Sequence, residues 1–313
     1  MIRKELVSIA MTTYNGEKYL IQQLDSILTQ TYKNLEVIIC DDKSLDNTAK
    51  IIKEYQKSDS RIKFFPNETN LGFKKNFEKA ISFCSGEYIA LSDQDDIWEK
   101  NKIELLLENI KDFDLIHSAC SLIDENSIQI SPLWLKEDDL KYTFSKIIFG
   151  NSVTGCTTLF KKELLKDFFP IPRGEYYHDW WLALLAIKGN GIVFFNKPLV
   201  KYRQHSSQDT GANIDTLRKK LNRYYESFFN KKDSLRYKIS KRQHERLESF
   251  LDEKSNLFSD DEKYIIKDAI KYYENYLNNF IHIGNFFISL KYNEYMYYKN
   301  KFYLKNIFRD LIG

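Results

Sequence analysis

The segment Ser92-Asp93-Gln94-Asp95-Asp96 places three carboxylates directly after an apolar run at 87–91 that has the composition of a buried strand. Carboxylates this close together repel each other unless a cation neutralises them. Hard divalent cations such as Mg²⁺ and Mn²⁺ bind carboxylate oxygens and usually keep coordination positions open for phosphate oxygens. The spacing therefore indicates a site for a metal ion and a diphosphate, and a solvated acidic turn is the alternative.

Two other predicted strand ends carry side chains suited to contact a nucleotide. Tyr14 follows the first apolar run, and its ring is suited to lie against a nucleobase, although Asn15-Gly16 also has the composition of an ordinary turn. Asp42 follows the second run and is suited to accept the N3–H of uracil or thymine. The alternative for Asp42 is a solvated carboxylate beside a helix that is capped by Asp46.

Residues 70–76 read Asn-Leu-Gly-Phe-Lys-Lys-Asn and open a predicted helix with two lysines near its start, Lys74 and Lys75. Lysines near a helix N-terminus run against the helix dipole. A bound anion such as a diphosphate would account for them. A solvated basic surface is the alternative.

His178-Asp179-Trp180-Trp181 opens a predicted apolar helix. Aromatic neighbours would partly desolvate Asp179, which raises the pKa of a carboxylate and suits a general base. A helix N-cap is the alternative. The two tryptophans offer flat apolar faces of the kind that pack against sugar rings. Further along, Arg203 is suited to neutralise a departing diphosphate and His205 to complete the coordination of a metal, with structural roles as the alternative for both.

Alternating strand and helix patterns must position these residues. Strand patterns at 6–11, 35–40, 61–65 and 87–91 are separated by helical patterns at 19–28, 46–55 and 70–83. This alternation predicts a mostly parallel sheet with helices on both faces, in which ligands lie outside the carboxyl ends of the strands. Beyond it, the sequence predicts a turn into a strand at 154–160, a helix at 179–187, and short strands at 192–195 and 199–202.

Composition limits the class of protein. The 313 residues are 43% hydrophobic and 29% charged, which is typical of a soluble globular protein. No apolar run approaches the roughly 18 residues needed to span a bilayer, and no signal-peptide segment precedes the first strand pattern. The four cysteines are widely spaced, as expected of reduced core residues. These features predict a cytoplasmic location.

The last third of the chain differs from the rest. Residues 1–214 carry a net charge of −3, whereas residues 215–313 carry +6 and contain 21 of the 43 Phe and Tyr residues. The patterns there are helical, with the densest basic section at 219–242. We expect a helical region that packs on the preceding domain, contacts an anionic lipid surface, or forms a homodimer. Nucleic acid is not an expected partner, because the front is acidic and carries no recognised binding motif.

Taken together, the motifs in the order Met11–Gly16, Cys40–Ser44, Asn70–Gly72, Asp93–Asp96 and His178–Trp181 resemble those of family-2 glycosyltransferases of the GT-A fold. The pair His-Asp-Trp-Trp and Tyr-Arg-Gln-His (202–205) is similar to the bacterial rhamnosyltransferase branch that builds cell-surface polysaccharide. The resemblance covers roughly residues 5–210. A Gln-x-x-Arg-Trp motif of processive members is absent, and Lys43 stands where many members have Gly.

The resemblance implies an α/β fold of the GT-A type, which is Rossmann-like with a mostly parallel central sheet flanked by helices, followed by a helical C-terminal region. The catalytic domain would span 1–212, with a nucleotide-sugar half at about 1–98 and an acceptor half at about 99–212. The helical region would span 213–313.

The resemblance also implies residue roles. Asp179 would be the catalytic base, and Mn²⁺ or Mg²⁺ would bind Asp93, Asp95 and His205. The implied donor-binding residues are Thr12, Tyr14, Asn15, Asp42, Asn70, Gly72, Lys75, Asp93, Gln94 and Arg203. The implied acceptor-binding residues are Gly155, His178, Trp180 and Trp181.

The implied reaction is an inverting, metal-dependent transfer of a sugar, L-rhamnose from dTDP-L-rhamnose or another nucleotide hexose. The acceptor would be a hydroxyl of a cell-surface glycan or of a lipid-linked molecule, reached at the inner face of the bacterial plasma membrane. Two alternatives remain open from the residues: a nucleotidyltransferase-like enzyme, and an inert scaffold that binds nucleotide sugars or glycans.

Overall fold

A computed structural model of the chain describes residues 5–134, 142–205 and 235–278, together with 285, 287, 288, 291 and 292. The chain divides into two compact units. The first comprises Met1–Tyr142, Ser152–Pro170 and Tyr177–Gly211, and the second comprises Thr143–Asn151, Ile171–Tyr176 and Ala212–Gly313. The second unit thus includes two short segments that the sequence analysis assigned to the acceptor half.

The first unit is built on a nine-stranded mixed sheet. Its strands are β1 (Val7–Thr13), β2 (Leu35–Asp41), β3 (Ile62–Pro66), β4 (Tyr88–Ser92), β5 (Ile97–Trp98), β6 (Leu115–Ile123), β7 (Gln129–Trp134), β8 (Thr158–Lys161) and β9 (Ile192–Arg203). The order is β3-β2-β1-β4-β8-β6-β9-β5, and β7 pairs with β6.

The first four strands form the predicted parallel half of the sheet. β1 lies between β2 and β4, and all seven residues of both β1 and β2 are buried. Burial on both faces explains why these strands appear in the sequence as continuous apolar runs. In register, Thr13 pairs with Asp41 and Met11 with Ser92, so the loops after β1, β2 and β4 leave the sheet side by side.

The second half of the sheet contains elements that the sequence did not predict. β6 is buried along its whole length although it contains His117, Ser118, Cys120 and Ser121, which interrupt the apolar pattern. β9 pairs in parallel with β6 and shifts register between Ser118 and Cys120. Such an irregularity bends a strand, and the two short strands predicted at 192–202 are one continuous strand.

Helices cover the sheet and form most of the described second unit. Those of the first unit are α1 (Leu20–Leu28), α2 (Thr48–Ser58), α3 (Phe73–Ser82), α4 (Lys102–Ile110), α6 (Leu165–Phe168) and α7 (His178–Lys188), and those of the second are α5 (Phe144–Phe149), α8 (Leu235–Lys254) and α9 (Asp260–Asn278). Asn47, not Asp46, occupies the N-cap position of α2, although Asp46 Oδ1 accepts a hydrogen bond from Thr48 N.

A buried ion pair joins the segments of the second unit. Arg246 on α8 donates from Nε to Glu175 Oε2 at 2.7 Å and from Nη1 to the carbonyl oxygen of Ile148 at 3.2 Å, and both charged side chains are almost fully buried. These bonds connect α8 with the 143–151 and 171–176 segments. The predicted C-terminal helical region is therefore present, while most of the basic section at 219–242 lies outside the described residues.

Two expectations from composition concern the whole chain. All four cysteines are free and buried, as predicted. None of the helices in the described ranges has both the length and the hydropathy that a membrane crossing requires.

The buried, hydrogen-bonded carboxylate of Glu36 on β2 is expected to stabilise the folded state. Glu36 is buried and accepts hydrogen bonds from Ser8 Oγ, from the amide and hydroxyl of Ser85, and from Lys63 Nζ at 2.7 Å. Burial raises the pKa of Glu36, but the bonds from Lys63, Ser8 and Ser85 outweigh it and lower the pKa from 4.5 to about 2. Since the folded state favours the ionised form, this stabilisation is complete above pH 4.5 and is lost as the pH falls towards 2.

We expect Glu36→Gln to lower the free energy of unfolding at pH 7 by up to about 3 kcal/mol. The difference between wild type and variant, measured by urea denaturation, should shrink as the pH is lowered from 4.5. A difference that is the same at pH 7 and pH 3 would contradict this assignment.

Candidate active site

The loops after β1 and β2 are fastened to each other. Asn15, which has a positive φ of 47°, donates from its amide to Ser44 Oγ at 2.9 Å and accepts from Leu45 N at 2.8 Å. Thr13 Oγ1 donates to Asp41 Oδ1 at 2.8 Å. Thr12 lies in β1 and is largely buried. The polar atoms of Asn15 thus join two loops, while the role in donor binding predicted for Thr12 and Asn15 stays a prediction.

Gln94 links the acidic loop, residues 93–96, to the loop after β1. Its Nε2 donates to the carbonyl oxygen of Tyr14 at 3.0 Å, and its Oε1 accepts from Tyr14 N at 2.8 Å. A Cβ at Gly16 would lie 2.1 Å from Gln94 Oε1, so the absence of a side chain at Gly16 makes room for this contact. Gln94 therefore holds the backbone of Tyr14, whose side chain remains 46% exposed.

Asp42 organises the turn before α3. Its carboxylate is buried and accepts from Asn67 Nδ2 at 2.8 Å, Leu71 N at 2.7 Å and Gly72 N at 2.8 Å. Asn70 Oδ1 also accepts from Gly72 N, whose φ of 79° suits glycine. Three hydrogen bonds from the protein therefore engage the group that was predicted to meet a uracil or thymine.

Lys75 forms an ion pair within α3. Its Nζ lies 2.6 Å from Glu78 Oε2, three residues along the helix, and its side chain is about half exposed. The predicted contact with a diphosphate would have to compete with this pair.

The acidic loop is crowded with like charge. Burial, followed by the nearby carboxylates of Asp96, Asp95 and Asp179, raises the pKa of Asp93 well above its ordinary value. Burial and the charge of Asp95 raise the pKa of Asp96 to about 7. Asp95 Oδ2 lies 2.8 Å from His205 Nε2, which brings together two residues predicted to bind a metal. The tilted ring of Tyr19, 5.1 Å away between centroids, packs against His205.

Arg203 is hydrogen-bonded to the acidic loop. It is fully buried, donates from Nε to the carbonyl oxygen of Asp95 at 2.7 Å and from its backbone amide to Asp96 Oδ1 at 3.0 Å. Its Nη atoms donate to Gln22 Oε1 and Ser127 Oγ. A contact between Arg203 and a departing diphosphate would have to compete with these protein partners, and it stays a prediction.

Asp179 lies in the first turn of α7 and is not its N-cap, a position held by Tyr177. Its Oδ2 instead accepts a hydrogen bond from Gly155 N at 3.0 Å. Its charge raises the pKa of Asp93, so the two carboxylates share one region although they are 86 positions apart in sequence. The structure thus brings the predicted base close to the predicted metal ligands.

The neighbours of Asp179 pack inside the protein. Trp181 is fully buried and donates from Nε1 to the carbonyl oxygen of Phe168 at 3.0 Å, and Trp180 is 8% exposed. His178 is also buried, stacks on Phe77 with centroids 3.8 Å apart, and has a pKa lowered to about 3 by burial. These three side chains are buried, and their predicted contact with an acceptor stays a prediction. Gly155 contributes its backbone amide to Asp179.

Lys102 is a feature of the site that sequence reasoning missed. It begins α4, is fully buried, and donates from Nζ to the carbonyl oxygen of Cys156 at 2.6 Å. Nζ lies 3.2 Å from the centroid of the Trp98 ring. Burial lowers the pKa of Lys102 to about 7. The sequence signal that could have indicated this contact was a Trp and a Lys four residues apart, just after the acidic loop.

The side chains around the acidic loop fit a hard divalent cation. Donor atoms of Asp93, Asp96 and Cys156 lie within 4.8 Å of one another, and Asp96 Oδ2 is buried without a hydrogen-bond partner among the described residues. Burial raises the pKa of the Cys156 thiol well above its ordinary value, which keeps it protonated and unsuited to bind metal. The remaining donors are carboxylate oxygens, with His205 beside Asp95, and such a set suits Mg²⁺ or Mn²⁺.

Comparison with known proteins identifies the family. The model of glycosyl transferase family 2 matches residues 8–169. Over 222 residues, 68% of this chain and 83% of the relative, the chain is 32% identical to WfgD of Escherichia coli, a UDP-Glc:α-D-GlcNAc-diphosphoundecaprenol β-1,3-glucosyltransferase. Over 220 residues, 65% of this chain and 74% of the relative, it is 34% identical to the dTDP-rhamnosyl transferase RfbG of Shigella flexneri.

A solved structure agrees with the predicted fold. TarS of Staphylococcus aureus, residues 1–349 in complex with UDP-GlcNAc, superposes with a TM-score of 0.60 and 18% identity over 98% of this chain and 81% of that one. This likeness concerns the architecture and confirms the expected GT-A fold with its C-terminal helices. The chain therefore belongs to glycosyltransferase family 2 and is a glycosyltransferase that uses a nucleotide-sugar donor.

Proposed function

We propose that this enzyme transfers a hexose, with inversion at the anomeric carbon, to a hydroxyl of a cell-surface glycan or a lipid-linked acceptor. The observation that carries the proposal is the position of Asp179, which is fixed by the Gly155 amide and acts electrostatically on Asp93 of the acidic loop. A base and a diphosphate-binding loop are the two groups that a single displacement requires.

Asp179 serves as the general base. It takes the proton of the acceptor hydroxyl as that oxygen forms a bond to the anomeric carbon and the bond from this carbon to the diphosphate breaks. Because the acceptor attacks from the face opposite the leaving group, the configuration inverts and no covalent sugar–enzyme intermediate is needed. The hydrogen bond from Gly155 supports this role by fixing the orientation of the carboxylate.

Asp93, Asp95 and His205 are the residues we propose to hold Mn²⁺ or Mg²⁺. When bound, such an ion stabilises the negative charge that develops on the departing nucleoside diphosphate. The pairing of Asp95 with His205 and the repulsion that raises the pKa of Asp93 support this assignment.

The donor we propose is a pyrimidine nucleotide hexose, dTDP-L-rhamnose or a UDP-hexose. Two observations support this donor. The ring of Tyr14 is exposed in the loop after β1. The relatives RfbG and WfgD are named as a dTDP-rhamnosyl transferase and a UDP-Glc glucosyltransferase. WfgD is also named for a diphosphoundecaprenol acceptor. A lipid-linked acceptor would bring this chain to the inner face of the membrane, where its basic C-terminal region would contact anionic lipid. A homodimer through the C-terminal helices is the alternative role for that region.

Replacing the base should separate binding from transfer. We expect Asp179→Asn to lower kcat about 10²- to 10⁴-fold while nucleotide-sugar binding changes little. A thermal-shift panel on the variant, including dTDP-L-rhamnose and UDP-glucose, then identifies the donor without turnover. Asp112→Asn, an exposed single-charge change, is the matched control. Equal turnover by Asp179→Asn and wild type would remove Asp179 from the base role.

Removing divalent metal should stop the reaction. We expect EDTA to abolish sugar transfer and excess Mn²⁺ or Mg²⁺ to restore it, because the proposed ion offsets the charge of the leaving diphosphate. Asp95→Asn should raise the Mn²⁺ concentration needed for half-maximal rate. Full activity in the chelator would refute the metal assignment.

The contact between Gly16 and Gln94 predicts non-additive variants. Gly16→Ala should displace the Gln94 side chain, and Gln94→Ala removes it, so each should weaken nucleotide binding by about 1 kcal/mol, roughly fivefold. The double variant should cost no more than the worse single variant, as measured by calorimetry with UDP or dTDP. Gly150→Ala is the control, since a Cβ there meets nothing within 4 Å. Strictly additive costs would show that the two residues act independently.

A further inference from the structure

A chain of amide side chains links the carboxylate of Asp42 to α3. Asn67 directly follows β3, and its Nδ2 donates to Asp42 Oδ1 at 2.8 Å and to Asn76 Oδ1 at 2.9 Å. Asn76 Nδ2 in turn donates to the carbonyl oxygen of Cys40 at 2.9 Å. Lys79 Nζ donates to Asn67 Oδ1 at 2.7 Å. Asp42, Asn67 and Asn76 are buried, so the bonds among them are largely shielded from water.

The two ends of this chain fix the direction of every hydrogen bond between them. A lysine ammonium can only donate a hydrogen bond, and a backbone carbonyl can only accept one. Because Asn76 turns its Nδ2 towards the Cys40 carbonyl, its Oδ1 faces Asn67. Asn67 therefore has to present Nδ2 on that side, where it also meets Asp42, and its Oδ1 faces Lys79. The amide of Asn67 is thus held in the one orientation that directs a donor at the Asp42 carboxylate.

The hydrogen bonds to Asp42 are divided unequally between its two carboxylate oxygens. Oδ1 accepts from Asn67 Nδ2 and from Leu71 N, which occupies both of its lone pairs. Among the described residues, Oδ2 accepts from Gly72 N alone, so one of its lone pairs stays open. An ionised carboxylate only accepts hydrogen bonds. The open position on Oδ2 therefore favours an N–H group and repels the lone pair of a ring nitrogen.

We propose that Asn67 is a positioning residue that sets the preference of the donor site for uracil or thymine over cytosine. By occupying Oδ1, it leaves Oδ2 of Asp42 as the oxygen that meets the base. Uracil and thymine present N3–H at this edge, whereas the N3 of cytosine presents a lone pair. Lys79 maintains the preference by fixing the Asn67 amide. The inference rests on the pyrimidine nucleotide donor proposed above.

The test compares the binding of UDP and CDP, measured by calorimetry. The two ligands share the ribose and the diphosphate, so the ratio of their dissociation constants reports on the edge of the base alone. Wild type should bind UDP at least about tenfold more tightly than CDP. Asn67→Asp removes the donor to Oδ1 and places a second carboxylate against Asp42, which should lower this ratio at least about fivefold.

Asn190→Asp is the matched control. Asn190 Nδ2 donates to Oδ1 of the buried Asp114 at 2.9 Å, just before β6 begins. The variant therefore places two carboxylates together in the same way, at a pair that does not include Asp42. It should leave the ratio for UDP and CDP unchanged. If Asn67→Asp left the ratio unchanged as well, Asn67 would have a purely structural role, and the proposal would be overturned.

A second pair of variants decides the case if Asn67→Asp does not fold. Lys79 is only partly buried on α3, so the fold tolerates its replacement more readily. Lys79→Glu puts an acceptor against Asn67 Oδ1 and favours rotation of the amide, whereas Lys79→Arg keeps a donor there. The ratio should fall in Lys79→Glu and stay near the wild-type value in Lys79→Arg. Equal ratios in the two variants would refute the proposed chain.

The wild-type measurement separates this inference from the proposed donor. A wild type that binds CDP as tightly as UDP would refute the contact between Asp42 and the base, and this inference with it. A selective wild type whose Asn67 and Lys79 variants remain equally selective would refute the role of Asn67 and leave the pyrimidine donor in place.

Discussion

Repulsion among carboxylates at the carboxyl ends of the parallel strands is the constraint that shapes the rest of this site. The carboxylates that the fold places there have different hydrogen-bond or ion-pair partners. Backbone amides of the 71–72 turn donate to Asp42, His205 pairs with Asp95, and the backbone amide of Arg203 donates to Asp96. Asp93 is the most exposed of these four, and its buried setting and the neighbouring carboxylates raise its pKa.

Several motif residues of the site hydrogen-bond one loop to another. Gln94 grips the backbone of Tyr14, Asn15 joins the loops after β1 and β2, and Asp42 organises the turn before α3. Most side-chain hydrogen bonds in proteins go to backbone or water, and these three side chains bond to the backbone of a neighbouring loop. The arrangement of these loops is thus encoded in the same short motifs by which the sequence resembles the family.

The parallel half of the fold could be predicted from sequence because β1, β2 and β4 are continuous apolar runs that end in turn residues. β6 could not, since its polar residues interrupt the apolar pattern and the partner of the buried His117 is Tyr142, 25 positions away. At the site, residue types and strand ends predicted the proximity of Asp95 and His205. They did not predict the burial of Trp181 or the protein partners of Arg203, because the face of α7 that meets the core and the groups around a guanidinium depend on packing between distant segments.

The chain crosses repeatedly between the two units, which limits how the enzyme can be divided into fragments. The polypeptide passes from one unit to the other five times, and Arg246 reaches both short excursions through Glu175 and Ile148. Trimming the protein after residue 211 would leave those excursions with an orphaned buried carboxylate and an unmatched carbonyl. One cleavage therefore does not separate the two units, and a version of the first unit alone would require both excursions to be redesigned as soluble loops.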